Sequence, residues 1–205
     1  MILSLNEIET TVLKAARGAG YHWGLAEEAA AAARWLAKHD LPWAATVGIL
    51  LAENTVRLVG TDRVMSNPLV AGTWVCDDLA RDSGTPLKLT AVVAPLWLAA
   101  VVGVGRRAEP LGVSLEWPAA AFGTLRGALQ HAAGDLANPG PAPVSIRTRH
   151  PAGEAVVGAR TPSLGGRRVD EAVWRLLADL EKRTYVPASV RSREMGAGAG
   201  TSDND

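Results

Sequence analysis

Val144-Ser145-Ile146-Arg147-Thr148-Arg149-His150-Pro151-Ala152-Gly153-Glu154-Ala155-Val156-Val157-Gly158-Ala159-Arg160 is the stretch that decides the fold. Its two runs, Val144–Arg149 and Glu154–Arg160, flank the turn-rich tetrapeptide His150–Gly153, a pattern that predicts a β-hairpin with Val144, Ile146 and Thr148 on one face. A helix from about Val169 to Arg183 follows. There Val169, Ala172, Val173, Leu176, Leu177 and Leu180 recur at the three-and-four spacing of a buried stripe, with acids at its start and Lys182 and Arg183 at its end.

Upstream of the hairpin the chain opens with helices. Ser4 and Glu7 form a capping-box pair, and Leu5, Ile8 and Val12 share one face before Gly18 and Gly20 stop the first helix. A second helix is expected from about Gly24 to Lys38, opened by Glu27 and Glu28. Ala29 to Ala33 make it thin enough for close approach, with Trp35 and Leu36 as its large contacts. A third is expected from Trp43 to Glu53. Asn54–Gly60 reads as a strand, Thr61 to Pro68 as turns, and Trp74–Leu79 fits either type. Gly112–Trp117 alternates as a strand does, while Ala119–Ala133 is expected to be helical with Leu125 and Leu129 on one side. Asn138–Pro143 is a loop by composition.

Leu89–Gly105 carries no charge over seventeen residues. It falls short of the roughly 20 apolar residues of a membrane span and contains Pro95, so it predicts a buried helix near Pro95–Arg107 with proline at its start. Helices, then strands, then a helix lack the regular alternation of a doubly wound sheet. The expected class is α+β, helices packed on a small, mostly antiparallel sheet. Residues 1–187 are read as one domain, and 188–205 as a glycine-rich tail.

Composition limits the function. The 21 basic and 21 acidic residues give a formal net charge of zero, which offers no footprint for nucleic acid or an anionic membrane. One cysteine, Cys76, makes no internal disulfide framework, and the opening residues lack the basic region and cleavage site of a secretory signal, so the cytoplasm is the expected compartment. Cys76 lies beside Asp77 and Asp78, which disfavour a thiolate. His22, His39, His131 and His150 are scattered, so no metal or tightly bound cofactor is expected. Gly103-Val104-Gly105 lacks the third glycine of a dinucleotide-binding fingerprint.

Val144 to Met195 holds ten basic residues against six acidic ones, and nine of the ten are arginines. Arginine's planar fork grips a carboxylate or phosphate through two hydrogen bonds, which points to a small anionic metabolite, although a solvated sheet face explains the same surplus. The tail supplies more polar chemistry. Gly196, Gly198 and Gly200 make it flexible, and it lies close in sequence to Tyr185, Arg191, Arg193, Asp203, Asn204 and Asp205. It reads either as a frayed end or as a flap over a polar ligand.

Ser4-Leu5-Asn6-Glu7-Ile8-Glu9, Ala15-Ala16-Arg17-Gly18-Ala19-Gly20, Trp23-Gly24-Leu25-Ala26-Glu27-Glu28-Ala29 and Arg34-Trp35-Leu36 resemble a bacterial family catalogued as a domain of unknown function, DUF3726. Arg183-Thr184-Tyr185-Val186-Pro187-Ala188-Ser189, Gly196 to Gly200 and Asp203 to Asp205 are similar to that family's closing pattern. The resemblance implies a tail that belongs to the domain, and no assigned reaction. A weaker similarity links the first helix to the start of malate and lactate dehydrogenases of the non-Rossmann type. This chain is too short for their catalytic domain, and no NAD chemistry carries over.

Two functions follow as expectations. One is a metabolic enzyme acting on a carboxylate-bearing metabolite, with Tyr185 and Asp203 as general acid or base and Arg191, Arg193, Asn204 and Asp205 binding substrate. The other is a non-catalytic accessory subunit or ligand-binding protein of a catabolic system. For that reading, seven tryptophans would suit a homodimer or partner interface, although they serve equally to fill a core.

Overall fold

Ser4 starts the first helix in the computed structural model, which describes residues 1–53, 66–78, 86–105, 111–149, 162, 163 and 165–185. Its hydroxyl accepts from the Glu7 amide at 3.2 Å while the Ser4 amide donates to the Glu7 carboxylate at 2.7 Å, so the expected capping box forms at α1 (Leu5–Gly18). Those bonds also hold the Glu7 carboxyl below its usual range. Leu5, Ile8, Val12, Ala15 and Ala16 are buried.

The second helix, α2 (Trp23–Lys38), begins one residue before the expected start, so Glu27 and Glu28 fall beyond its first turn and do not open it. Burial, with Glu27 beside it, pushes the Glu28 carboxyl up. Ala26, Ala29, Ala30, Ala32, Ala33 and Ala37 are buried, and the small side chains let α1 lie close alongside. After α3 (Trp43–Ala52) the expected strand Asn54–Gly60 lies outside the described residues. Asn67 then caps α4 (Pro68–Asp78), its side-chain oxygen accepting from the amides of Leu69 and Val70. Pro68, read as a turn residue, is instead the first residue of a helix. Proline suits that position because its missing N–H would have had no helical partner.

Tyr21 ties these helices together. Its hydroxyl lies 2.7 Å from the carbonyls of Leu50 and of Glu53 and accepts from the Asn67 amide at 2.9 Å. Burial, with help from Glu53, pushes its pKa up to about 12 against the opposing Asn67 bond.

The uncharged run divides in two. Its first residues belong to β2 (Leu87–Val92), a strand the sequence reading missed, and the rest to α5 (Pro95–Val104), which starts at the expected proline. Leu96 to Gly103 are all buried. The Trp97 indole donates to the Thr46 hydroxyl at 2.9 Å, so the most enclosed tryptophan is satisfied. Among the described residues no helix is long and apolar enough to cross a membrane.

Five strands form an antiparallel sheet in the order β2–β6–β3–β4–β5, where β3 is Gly112–Trp117, β4 Ala120–Leu125, β5 Ala128–Gly134 and β6 Ala142–Arg149. The expected helix over Ala119–Ala133 is corrected to the hairpin β4–β5. Leu125 and Leu129 are four apart, as on a helix, but Arg126 (φ 50°) and Gly127 (φ 73°) adopt consecutive left-handed conformations that make a two-residue hairpin turn. Val144 and Ile146 are buried on the inner face, as their alternation predicts. Their strand, β6, lies inside the sheet between β2 and β3; the expected turn and second strand of its hairpin lie outside the described residues. Trp35 of α2 meets Phe122 of β4 with ring centroids 5.8 Å apart, joining the helical layer to the inner face of the sheet. The result is the expected α+β class.

The last helix, α6 (Glu171–Lys182), lies against the other side of α1. Its buried stripe is narrower than the spacing suggests: Leu177 and Leu180 are enclosed, Val173 is half-buried, and Ala172 and Leu176 are exposed. Before it, β7 (Arg167–Arg168) pairs with β1 (Ile2–Leu3), two short strands with no signal in the sequence. Arg167 donates to the carbonyls of Ala37 and Ser163 and pairs with Asp40 at 2.9 Å, so this arginine holds the end of α2 in place.

Candidate functional site

The seam between α1 and α6 opens into a cavity of about 400 Å³ lined by Leu13, Lys14, Arg17, Trp23, Arg183 and Thr184. Helical periodicity explains why α1 contributes its cations there. Lys14 and Arg17 are three residues apart, so they share a face, and that face is not the one carrying Ile8, Val12 and Ala15 into the core. Gly18 closes the seam at one end. A side chain on it would collide with the Leu180 carbonyl of α6, so only glycine lets the two backbones meet there.

The polar groups are arranged in two parts. Lys14 donates to the Glu181 carboxylate at 2.7 Å, and the Tyr185 hydroxyl donates to the same oxygen at 2.5 Å. Burial alone would raise the Glu181 carboxyl, but the bonds from Lys14 and Tyr185 outweigh it and hold it below its usual range. The hydrogen bond to Glu181, with its charge, raises both Lys14 and Tyr185. Tyr185 therefore holds its proton firmly at neutral pH, with its hydroxyl hydrogen engaged by Glu181. In the second part, the Arg17 guanidinium lies 4.8 Å over the Trp23 ring and donates to the Tyr21 carbonyl at 2.5 Å. Trp23 is 61% exposed, so its free face is a flat apolar wall beside three cations.

Glu181 neutralises Lys14 within this group. Arg17 and Arg183 make no direct ion pair among the described residues, although the charge of Arg183 helps hold the Asp179 carboxyl below its usual range. The cavity therefore offers an unbalanced positive charge, a flat indole and a phenol at its rim, which together suit a small anion with an apolar portion.

Of the residues assigned from sequence, the structure places Tyr185 at this rim. Arg191, Arg193, Asp203, Asn204 and Asp205 lie outside the described residues, as does His150. Lys14, Arg17, Trp23 and Arg183 were not singled out as site residues. The available signal was two cations one turn apart beside a glycine stop, followed by a tryptophan ahead of an alanine helix. The arginine-rich surplus is dispersed: Arg175 pairs with Glu171 and Lys182 with Asp179, while Arg147 lies on the sheet. Arg34 takes Glu9 at 2.7 Å across the α1–α2 rim. Cys76 is half-buried on α4, close against Gly105, and His39 stacks on Trp35 with centroids 4.2 Å apart, so both have packing roles. Among the described residues no three His, Cys, Asp or Glu side chains gather as a metal ion would need.

No curated protein and no solved structure matches the chain. Residues 3–55, which take in α1, α2 and α3, match the model of a family described as a protein of unknown function (DUF3726), and the family resemblance of the opening residues holds over that stretch.

Proposed function

We propose that this protein binds a small carboxylate-bearing metabolite in the α1–α6 cavity, as a ligand-binding or accessory protein of a bacterial catabolic system in the cytoplasm. The observation that carries this reading is the pair of arginines, Arg17 and Arg183, with no direct ion pair among the described residues, beside the exposed Trp23 indole. A guanidinium fork takes a carboxylate through two bonds, and the indole covers the carbon skeleton behind it. Arg191 and Arg193 follow Tyr185 by six and eight residues, so the sequence assignments extend the same cationic chemistry.

A catalytic role is the second reading, and the Tyr185–Glu181–Lys14 chain favours it. A phenol that stays protonated and turns its hydroxyl from Glu181 to a bound ligand would stabilise developing negative charge by donating a hydrogen bond to it. Melting of the full chain with succinate, citrate and acetate separates the outcomes. A ligand at a hundred times its Kd stabilises by about 2.7 kcal/mol, a shift of several degrees. The shift should vanish in Arg183→Gln and shrink in Trp23→Ala; no shift with any carboxylate overturns the proposal. Tyr185→Phe should keep the binding shift under either reading and lose turnover only under the second.

A further inference from the structure

The outward face of the five-stranded sheet carries a second polar cavity, of about 290 Å³, far in sequence from the α1–α6 seam. Strand register builds it. Arg147 on β6, Ser114 on β3, Gly123 on β4 and His131 on β5 are successive cross-strand partners and form one row across four strands. With strands roughly 4.8 Å apart, the two long side chains start about 14 Å apart, at either end of a floor made by serine and glycine.

Two features turn His131 inward. A side chain at Gly123 would strike the His131 imidazole, so the missing Cβ lets that ring lie over β4. Glycine inside a strand weakens it and often marks a close approach of this kind. The register also slips between Gly123 and Thr124, whose partners are His131 and Leu129, so Gln130 is an extra residue. Such a bulge re-aims the side chains beside it, and Gln130 joins His131 in lining the cavity. The neighbouring row on this face holds Lys88, Ser145 and Glu116, where one positive and one negative charge offset each other. Arg147 has no carboxylate partner among the described residues, so its row keeps a positive charge over a floor lined with donors.

We infer that this cavity binds an oxyanion of a small metabolite, with Arg147 supplying the charge and Ser114, Gln130 and His131 supplying further hydrogen bonds. The chemistry is shared by carboxylates and phosphates, both of which match the guanidinium fork. The site is separate from the α1–α6 cavity and does not depend on that reading.

The test is a two-dimensional NMR titration of the full chain with inorganic phosphate and, separately, with citrate. Saturable shifts are expected at Ser114, His131 and the Arg147 side chain. Saturation by phosphate alone identifies a phosphate site, by citrate alone a carboxylate site, and either supports the proposal. Arg147→Gln, a change at an exposed position, should raise the half-saturating concentration at least about tenfold, the loss expected for a charge-assisted bond. Ser114→Ala should raise it less, and Arg183→Gln should leave it unchanged. Absence of saturable shifts in the folded protein, or equal titration by Arg147→Gln, overturns the proposal.

Discussion

Helix α1 has two neighbours, and it meets them by different physics. Towards α2, both helices present small side chains, including Ala15 and Ala16 on one and Ala26, Ala29 and Ala33 on the other, each fully buried. Ion pairing there is confined to the rim, where Arg34 meets Glu9. Towards α6, Leu177 and Leu180 enter the core and the backbones touch at Gly18 and Leu180, while Lys14, Glu181 and Tyr185 span the outer edge beside an open cavity. A seam packed along its length leaves no room for a ligand. One that packs its inner edge and leaves its outer edge open has polar groups facing a gap, and that is where chemistry can reside.

The hardest test of this contrast is Gly18→Ala. The added Cβ collides with a main-chain carbonyl, not with the flexible end of a side chain, so α6 must move as a unit. A loss of about 3 kcal/mol in urea unfolding is expected, with the carboxylate response lost as well. A cost under about 1 kcal/mol would mean that α6 docks through Leu177 and Leu180 alone.

The same contrast explains what could be read from the sequence. The capping box at Ser4, the stripe of Leu5, Ile8 and Val12, the alanine helix and proline at the start of α5 are local signals, and each formed as expected. The hairpin β4–β5 was hidden because the spacing of Leu125 and Leu129 satisfies a helix, while the evidence against one is a left-handed pair of residues at the turn. β2 was hidden inside an uncharged run that reads as one element. β1 and β7 are two residues each and exist only because distant parts of the chain meet. The site divides in the same way. Tyr185 was legible as a phenol among charged groups, but Lys14, Arg17 and Trp23 gain meaning only when α6 brings Glu181 and Arg183 to them.

On the packed side of α1, the corresponding test is Tyr21→Phe. The substitution removes a hydroxyl that serves two carbonyls and one amide, leaving the Asn67 amide with the Glu53 carbonyl alone as acceptor. A loss of about 2 kcal/mol is expected, between that of Gly18→Ala and that of a surface change. The pH dependence has a definite sign. Because the folded pKa lies near 12 and the ordinary value is 10.0, the folded state holds its proton more tightly. Its contribution is complete below pH 10 and is lost as pH rises towards 12 and beyond. Urea midpoints measured from pH 9 to 11 should fall more steeply for the wild type than for Tyr21→Phe. Parallel curves would show that Tyr21 is not what joins α2, α3 and α4.

On the open side, Glu181→Gln is the gentler probe and the more specific one. Lys14 is 46% exposed, so water reaches the pair and screens it. Such a solvent-screened pair contributes much less than the Gly18 contact. Its carboxyl is held below the ordinary 4.5, so its contribution is fully present above pH 4.5 and disappears as pH falls through the lower folded value. Wild type and Glu181→Gln should therefore differ in urea midpoint at pH 7 and converge as pH falls from 4.5 through the lower folded value. The substitution also removes the negative charge that holds the Tyr185 proton and leaves only a neutral amide oxygen as acceptor, so the phenol should titrate at lower pH in the variant than in the wild type, followed by ultraviolet absorbance. If the midpoints stay apart in acid, the α1–α6 seam is held by packing after all, and the difference between the two sides of α1 reduces to the width of the gap.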